Sequence, residues 1–252
     1  MTPLALVTGG QQGIGLGIAT ALAGAGFRIA IASLPAPDHP QVQAALTQLG
    51  PQTGYFQHDL ALAEAVPALI DRIEAAMGPV SALVQNAGVA APVRGDMLDI
   101  TPANFDIVTG INLRGAFFVA QAMARRMITR EAGPYRSITF ITSVSARMAS
   151  VERADYCISK AGAAMAAQAL ALRLAPLGIG VFELRPGIIA TGMTEGVKDT
   201  YTARIAGGLV PAARWGQPAD IGSVVVPIAT GQMAFATGAV IPVDGGLSVQ
   251  RL

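Results

Sequence analysis

The sequence predicts an α/β protein: a doubly wound parallel sheet of about seven strands, covered by helices on both faces, in one domain over residues 1–252. Three observations carry this. Seven short apolar runs alternate with longer helical segments along the chain, and strands alternating with helices assemble into a parallel sheet whose faces the helices cover. The first run passes straight into a glycine turn and then a helix. No Ser/Gly tract, charge block, repeat or low-complexity segment divides the chain into halves.

Taken in order, Leu4 to Thr8 is the first strand, Gly9-Gly10-Gln11-Gln12-Gly13-Ile14-Gly15 the turn, and Leu16 to Leu22 the helix. That arrangement aims backbone N–H groups and a helix N-terminus at a phosphate. Its spacing, G-x-x-x-G-x-G, is not the dinucleotide fingerprint G-x-G-x-x-G, so position rather than pattern gives it weight. Phe27 to Ser33 is the second strand. Dinucleotide-binding folds place an acid near its end to bond the adenosine ribose, but here Ser33, Leu34 and Pro35 follow one another. A missing carboxylate removes repulsion toward a 2′-phosphate, which tilts the expected cofactor toward NADP(H), although Leu34 supplies no arginine.

Gln41 to Leu49 reads as helix and Gly54 to Gln57 as strand, leading to His58 and Asp59. Asp59 either accepts a bond from an adenine amine or caps a helix starting at Leu60. Helix from Ala63 to Met77 precedes the strand Val80 to Gln85 and the turn Asn86-Ala87-Gly88. That turn is either an ordinary loop or one packed beside a cofactor at the carboxyl ends of parallel strands. Thr101 as N-cap and Pro102 at N1 open a long helix to about Arg130. Asn112 lies inside it, partly buried; Arg125 and Arg126 complement its dipole.

Ser137 to Ser143 is a buried strand. The Ala-rich helix around Asp155-Tyr156-Cys157-Ile158-Ser159-Lys160 ends near Ala175-Pro176. Ile179 to Leu184 leads into Arg185-Pro186-Gly187 and Ile188 to Thr191. Residues 192–208, small and polar with a weak helical pattern, suit a mobile substrate lid. Pro218 opens another helix, and Ala239 to Val243 is the last strand.

Composition excludes several classes. Net charge is +1 with 13% charged residues, so no basic field points to nucleic acid. An apolar fraction of 52% suggests that copies of the chain cover part of its surface. A single cysteine, Cys157, with only His39 and His58, permits neither a disulfide framework nor a Cys/His zinc site. The uncharged stretches 1–27 and 221–243 are broken by glycine and proline, so neither a signal peptide nor a membrane span is expected and a cytoplasmic location is.

The chemistry concentrates on one helix face. Tyr156 and Lys160 are four residues apart, so they share that face, and Ser143 ends the neighbouring strand. Alone, such a pair is commonly a half-buried ring and a solvated charge.

The motifs together, over essentially the whole chain, resemble the short-chain dehydrogenase/reductase family. Thr8-Gly9-Gly10-Gln11-Gln12-Gly13-Ile14-Gly15 is similar to its TGxxxGIG cofactor loop, and Asn86-Ala87-Gly88 to its NAG turn. Asn112, Ser143, Tyr156 and Lys160 stand where the family has its catalytic tetrad. The resemblance implies a Rossmann-type domain that binds NAD(P)(H) through Gly9, Gln12, Gly13, Ile14, Gly15, Ser33, Asp59, Leu60, Asn86, Ala87 and Gly88. Tyr156, Lys160, Pro186, Gly187, Ile189 and Thr191 complete that set. The nearest look is to chains labelled 3-oxoacyl-acyl-carrier-protein reductase. Gln85 departs from the Asn that often precedes NAG, and Gly192 from a frequent Asp.

The implied reaction interconverts a secondary alcohol and a ketone, with no metal. A free phenol titrates near pH 10, so a tyrosine base working near neutrality needs a cation that favours its phenolate. Lys160⁺ is the available one and would also hold the nicotinamide ribose. Ser143 would hold the substrate oxygen, and Asn112 would support a proton-relay water. Expected substrates are a 3-oxoacyl thioester, a small ketone or a sugar alcohol. Met148, Glu152, Arg153 and Arg94 are expected to face the pocket, with Arg153 either meeting an anionic substrate or lying on the surface. Arg125 and Arg126 would suit acyl carrier protein as readily as a helix end. A homotetramer is expected. The alternatives are a non-catalytic NAD(P)-binding regulator, or epimerisation or dehydration on the same fold.

Overall fold

In the computed structural model, which describes residues 2–130 and 133–251, seven parallel strands form one sheet. In chain order these are β1 (Leu4–Thr8), β2 (Arg28–Ser33), β3 (Thr53–Gln57), β4 (Ala82–Gln85), β5 (Arg136–Ile141), β6 (Ile179–Pro186) and β7 (Val240–Val243). Their order across the sheet is β3-β2-β1-β4-β5-β6-β7. The direction of winding therefore reverses between β1 and β4, and ligands of doubly wound sheets bind at the carboxyl ends of the strands flanking that point.

Side chains alternate across each strand with a period of two. In β1, Leu4 and Leu6 join Leu83, Ile138 and Val181 under α3 (Val66–Met77), α5 (Ala116–Ile128) and α6 (Ala154–Leu174). Ala5 and Val7 point the other way, with Ile31, Val84 and Leu184, against α1 (Gly13–Gly24) and α8 (Pro218–Ala229). Helix α2 (Pro40–Leu49) covers the sheet edge, and β1 is buried throughout. Helices α1 and α8 approach closely at Gly17 and Gly222. A Cβ on Gly17 would lie 2.5 Å from Pro218 Cβ, and one on Gly222 would lie 2.7 Å from the Gly17 carbonyl oxygen.

Three expectations need correction. The long helix from Pro102 is not continuous: α4 (Pro102–Thr109) passes into a π-helical segment, Gly110–Gly115, before α5. Thr101 caps it as expected, accepting a bond from the Asn104 N–H at 3.3 Å. No helix starts at Leu60. Asp59 Oδ1 instead accepts the Ala61 N–H at 2.9 Å, closing a turn, and a 3₁₀ turn at Ala63–Ala65 leads into α3. Strand β5 stops at Ile141, and Ser143 begins a 3₁₀ turn, Val144–Ala146. The segment expected as a lid is a 3₁₀ turn, Gly192–Val197, followed by α7 (Lys198–Ala206).

One helical run among the described residues, Pro102–Ile128, is long and apolar enough to cross a membrane. Here it packs Val119, Ala120, Met123, Ala124 and Met127 into the core beside α3 and α6. Arg126 does more than face the helix dipole, forming an ion pair with Asp71 of α3.

Candidate active site

The ends of β1 and β4 build a cradle shaped for close approach. Thr8 is fully buried, and its hydroxyl accepts the N–H groups of Asn86 (3.0 Å) and Ala87 (3.1 Å) while donating to Gln85 Oε1 at 3.1 Å. Asn86 Nδ2 returns a bond to the Thr8 carbonyl at 3.0 Å. The turn after β4 is thus locked against the glycine turn after β1. Gly9 has φ +67°, and a Cβ there would stand 3.1 Å from Ala87. A Cβ on Gly15 would stand 2.2 Å from the Gly9 carbonyl oxygen, so only glycine lets α1 begin beneath the turn. Gln12 is the N-cap of α1, Ile14 rests on the core, and Gly13 (φ +52°) lies against Thr191, whose Cγ2 would be 3.4 Å from a Cβ there. Gln11 Oε1 is buried without a partner beside this turn. An orphaned acceptor of that kind awaits a donor from a ligand or water.

On the far side of β2, the His58 N–H donates to the Ser33 carbonyl at 2.8 Å, bringing Asp59 beside the end of the strand. The Tyr55 hydroxyl reaches the carbonyls of Ser33 (3.1 Å) and Pro35 (2.5 Å), fixing this rim. Leu60 is buried in the core, and its carbonyl oxygen lies where a Cβ on Gly115 would come within 2.3 Å.

Helix α6 brings the remaining groups to the same end of the sheet. Lys160 is buried and donates to the Ile141 carbonyl at 3.1 Å; its Nζ lies 5.6 Å from the Tyr156 ring centre. Tyr156 is half-buried, and no hydrogen bond engages its hydroxyl among the described residues. Ser143 Oγ accepts the Ser145 N–H at 3.1 Å, leaving its own O–H to donate. Asn112, in the π segment and buried, spends its side chain on its neighbours. Its Oδ1 accepts the Val89 N–H at 2.8 Å, while its Nδ2 donates to the Val89 carbonyl at 2.9 Å and to Ser159 Oγ at 3.2 Å. Ser159 Oγ in turn donates to the Tyr156 carbonyl at 2.8 Å. A Cβ on Gly88 would press on Asn112 Oδ1 at 2.9 Å and sit 3.5 Å from Lys160 Nζ, which fixes glycine there.

The segment after β6 closes the site. Gly187 has no room for a side chain, since a Cβ would stand 2.7 Å from that of Asp244. Pro186 pairs with Val243 in the sheet. The Ile189 side chain turns into the core, so only its backbone is free to face a ligand. Its carbonyl accepts the Thr194 hydroxyl at 2.8 Å.

Comparison with known proteins agrees with this geometry. The family pattern described as Enoyl-(Acyl carrier protein) reductase matches residues 9–248. The chain is 35% identical to the 3-oxoacyl-[acyl-carrier-protein] reductase MabA of Mycobacterium tuberculosis, over 97% of this chain and 92% of that protein. The chain belongs to the short-chain dehydrogenase/reductase family. As a member, it is an NAD(P)-dependent oxidoreductase. It is 32% identical to the 2-dehydro-3-deoxy-D-gluconate 5-dehydrogenase of Escherichia coli K12, over 96% of this chain and 94% of that one. A crystal structure of a 3-oxoacyl-[acyl-carrier protein] reductase from Brucella melitensis in complex with NAD superposes with TM-score 0.95 at 48% identity, covering 100% of this chain and 99% of that chain.

In this oxidoreductase two residues outside the expected set brace it. Gln85, noted only as a departure from the family's Asn, donates its Nε2 to the Ala116 carbonyl at 2.8 Å, tying Thr8 to the end of the π segment. Ser159 braces Asn112 against α6. The signal for Ser159 was its place beside Lys160; for Gln85, a polar residue ending an apolar strand.

Proposed function

We propose that this dehydrogenase interconverts a secondary alcohol and a ketone, with Tyr156 as the general acid in reduction and base in oxidation. The observation that carries it is a Tyr156 hydroxyl with no partner among the described residues, on the same helix as a buried ammonium 5.6 Å from its ring. Lys160 stands beside the ring, and its remaining N–H groups suit the ribose hydroxyls. Ser143, its O–H unspent, donates to the substrate oxygen and holds it at the phenol. Asn112 holds Val89 and α6 in place with its side chain, so a relay water would rest on its backbone carbonyl. The glycine turn, the Thr8-locked Asn86-Ala87-Gly88 turn, Asp59 and the Pro186–Thr191 segment fit NAD(P)(H), which supplies or accepts the hydride. Residues 192–208 serve as the substrate lid.

The relatives' names span 3-oxoacyl reductases and sugar-acid dehydrogenases, which supports the reaction class without selecting a substrate. An acyl-carrier substrate would need a docking cation. Exposed Arg125, outside every ion pair among the described residues, is the candidate. Ser33 favours NADP(H) by leaving the 2′ position unrepelled, although no arginine or lysine occurs between Arg28 and Arg72 to hold a phosphate.

Tyr156→Phe is the test. Turnover should fall by about 10²- to 10⁴-fold, while nucleotide affinity, read by fluorescence titration, stays within about threefold. A variant that keeps near-wild-type kcat would overturn the assignment.

A further inference from the structure

The Tyr156 ring has a second cation beside it. The Arg153 guanidinium carbon lies 5.8 Å from the ring centre, much as Lys160 Nζ lies at 5.6 Å. The two differ in what they are free to do. Lys160 is buried and bonded to a carbonyl; Arg153 is half-exposed and forms no ion pair or side-chain hydrogen bond among the described residues. Six other arginines and lysines do find carboxylates: Arg114, Arg126, Arg130, Arg185, Lys198 and Arg214. The neighbouring acids do not neutralise it. Among the described residues Glu152 is exposed and unpaired, and Asp155 is 1% exposed, with one oxygen accepting the Tyr156 N–H at 2.7 Å and the other buried without a partner. The backbone holds Arg153 in place. It is the N-cap residue of α6, on a 3₁₀ turn (Val151–Arg153) to which the loop after β4 is stitched by the Gly95 N–H on the Glu152 carbonyl at 3.2 Å.

A planar guanidinium with unspent N–H groups, fixed beside the proton-transferring phenol, matches a carboxylate in the two-pronged way that lysine cannot. With the guanidinium carbon 5.8 Å from the ring centre, a carboxylate bonded there would be within the span of a short acid whose carbonyl is held on the Tyr156 hydroxyl. We propose that the substrate is an organic acid, a short oxo acid and its hydroxy acid, with Arg153 as the residue that selects the charged form. This rests on the proposed role of Tyr156, but the two fail separately. Tyr156→Phe tests the proton; acid against ester tests Arg153.

The experiment measures kcat/KM for a panel of 2-, 3- and 4-oxo acids, each paired with its methyl ester, with reduced cofactor and wild-type enzyme, Arg153→Gln and Arg153→Lys. Calorimetric binding of the same pairs to the oxidised-cofactor complex gives the ratio where turnover is slow. The wild type should prefer at least one acid over its ester by about 10- to 100-fold, the range a charge-assisted hydrogen bond confers. In Arg153→Gln that ratio should collapse toward one, and Arg153→Lys should restore part of it. A wild type that takes esters or thioesters as well as acids overturns the proposal. So does a glutamine variant that keeps the ratio while lowering both rates, since Arg153 would then act on Tyr156 rather than on the substrate.

Discussion

In the proposed function, the choice of cofactor turns on Ser33. It ends β2, and a carboxylate at that place in a dinucleotide-binding fold accepts the ribose hydroxyls and repels a phosphate. Ser33→Asp should weaken NADPH binding and strengthen NADH binding, moving their Kd ratio by at least about tenfold in fluorescence titrations. An unchanged ratio would remove Ser33 from the ribose site. His58, next along this rim, governs a different property. Burial holds its imidazole below the ordinary histidine pKa; Asp59 pulls the other way, and Arg72 adds to the depression. The unfolded chain then binds more protons than the folded one just below pH 6.5, so stability is present above that pH and is lost as pH falls through it. Thermal melts should show Tm dropping between pH 7.5 and 5.5, and His58→Gln should flatten that slope. A variant with the wild-type slope would assign the acid sensitivity elsewhere.

At the scale of elements, the π segment Gly110–Gly115 is what the sequence concealed. The Thr101-Pro102 start announces a helix, and Thr101 caps one. A π segment has no such local signature, because it is imposed by partners far along the chain. Those partners are the Val89 backbone on Asn112, the Gln85 amide on Ala116, and the Leu60 carbonyl against Gly115. The same distinction runs through the site. The glycine turns and the Arg153, Tyr156 and Lys160 spacing at the start of α6 were legible because they are local, whereas the engagement of the Asn112 side chain is a tertiary fact. Gly115→Ala tests the segment, since its Cβ would stand 2.3 Å from the Leu60 carbonyl oxygen. Overpacking of that kind costs about 1–3 kcal/mol, a fall in Tm of roughly 2–12 °C, and it should lower kcat by displacing Asn112. Gly110→Ala is the control: its backbone is helical and a Cβ there meets nothing within 4 Å. Equal effects from both would place the cost in helix propensity rather than in the fit against Leu60.

For the whole molecule, the question is what covers its apolar surface. Helix α6 buries Ala163, Ala164, Ala167 and Ala171 under the sheet. On its outer side Ile158, Met165 and Leu172 remain 49%, 63% and 82% exposed. Residues seven apart lie on one stripe of a helix. Phe105 of α4, which packs beside α6, is 36% exposed as well. Exposed apolar patches mark interaction sites, and a patch on one helix face suits a two-fold pairing of copies. The apolar composition points the same way, and the homotetramer expected from sequence would need such pairings. Light scattering at micromolar concentration should therefore give a mass well above the 25.7 kDa of one chain. Met165→Glu, placing a charge at the centre of the stripe, should reduce that mass by at least half while the far-ultraviolet circular dichroism stays native. Met165 lies more than two turns along α6 from Tyr156, so residual activity in the smaller species would separate assembly from chemistry. A wild type that scatters as a monomer would mean that the stripe faces water, and an unchanged mass in Met165→Glu would move the interface to another face.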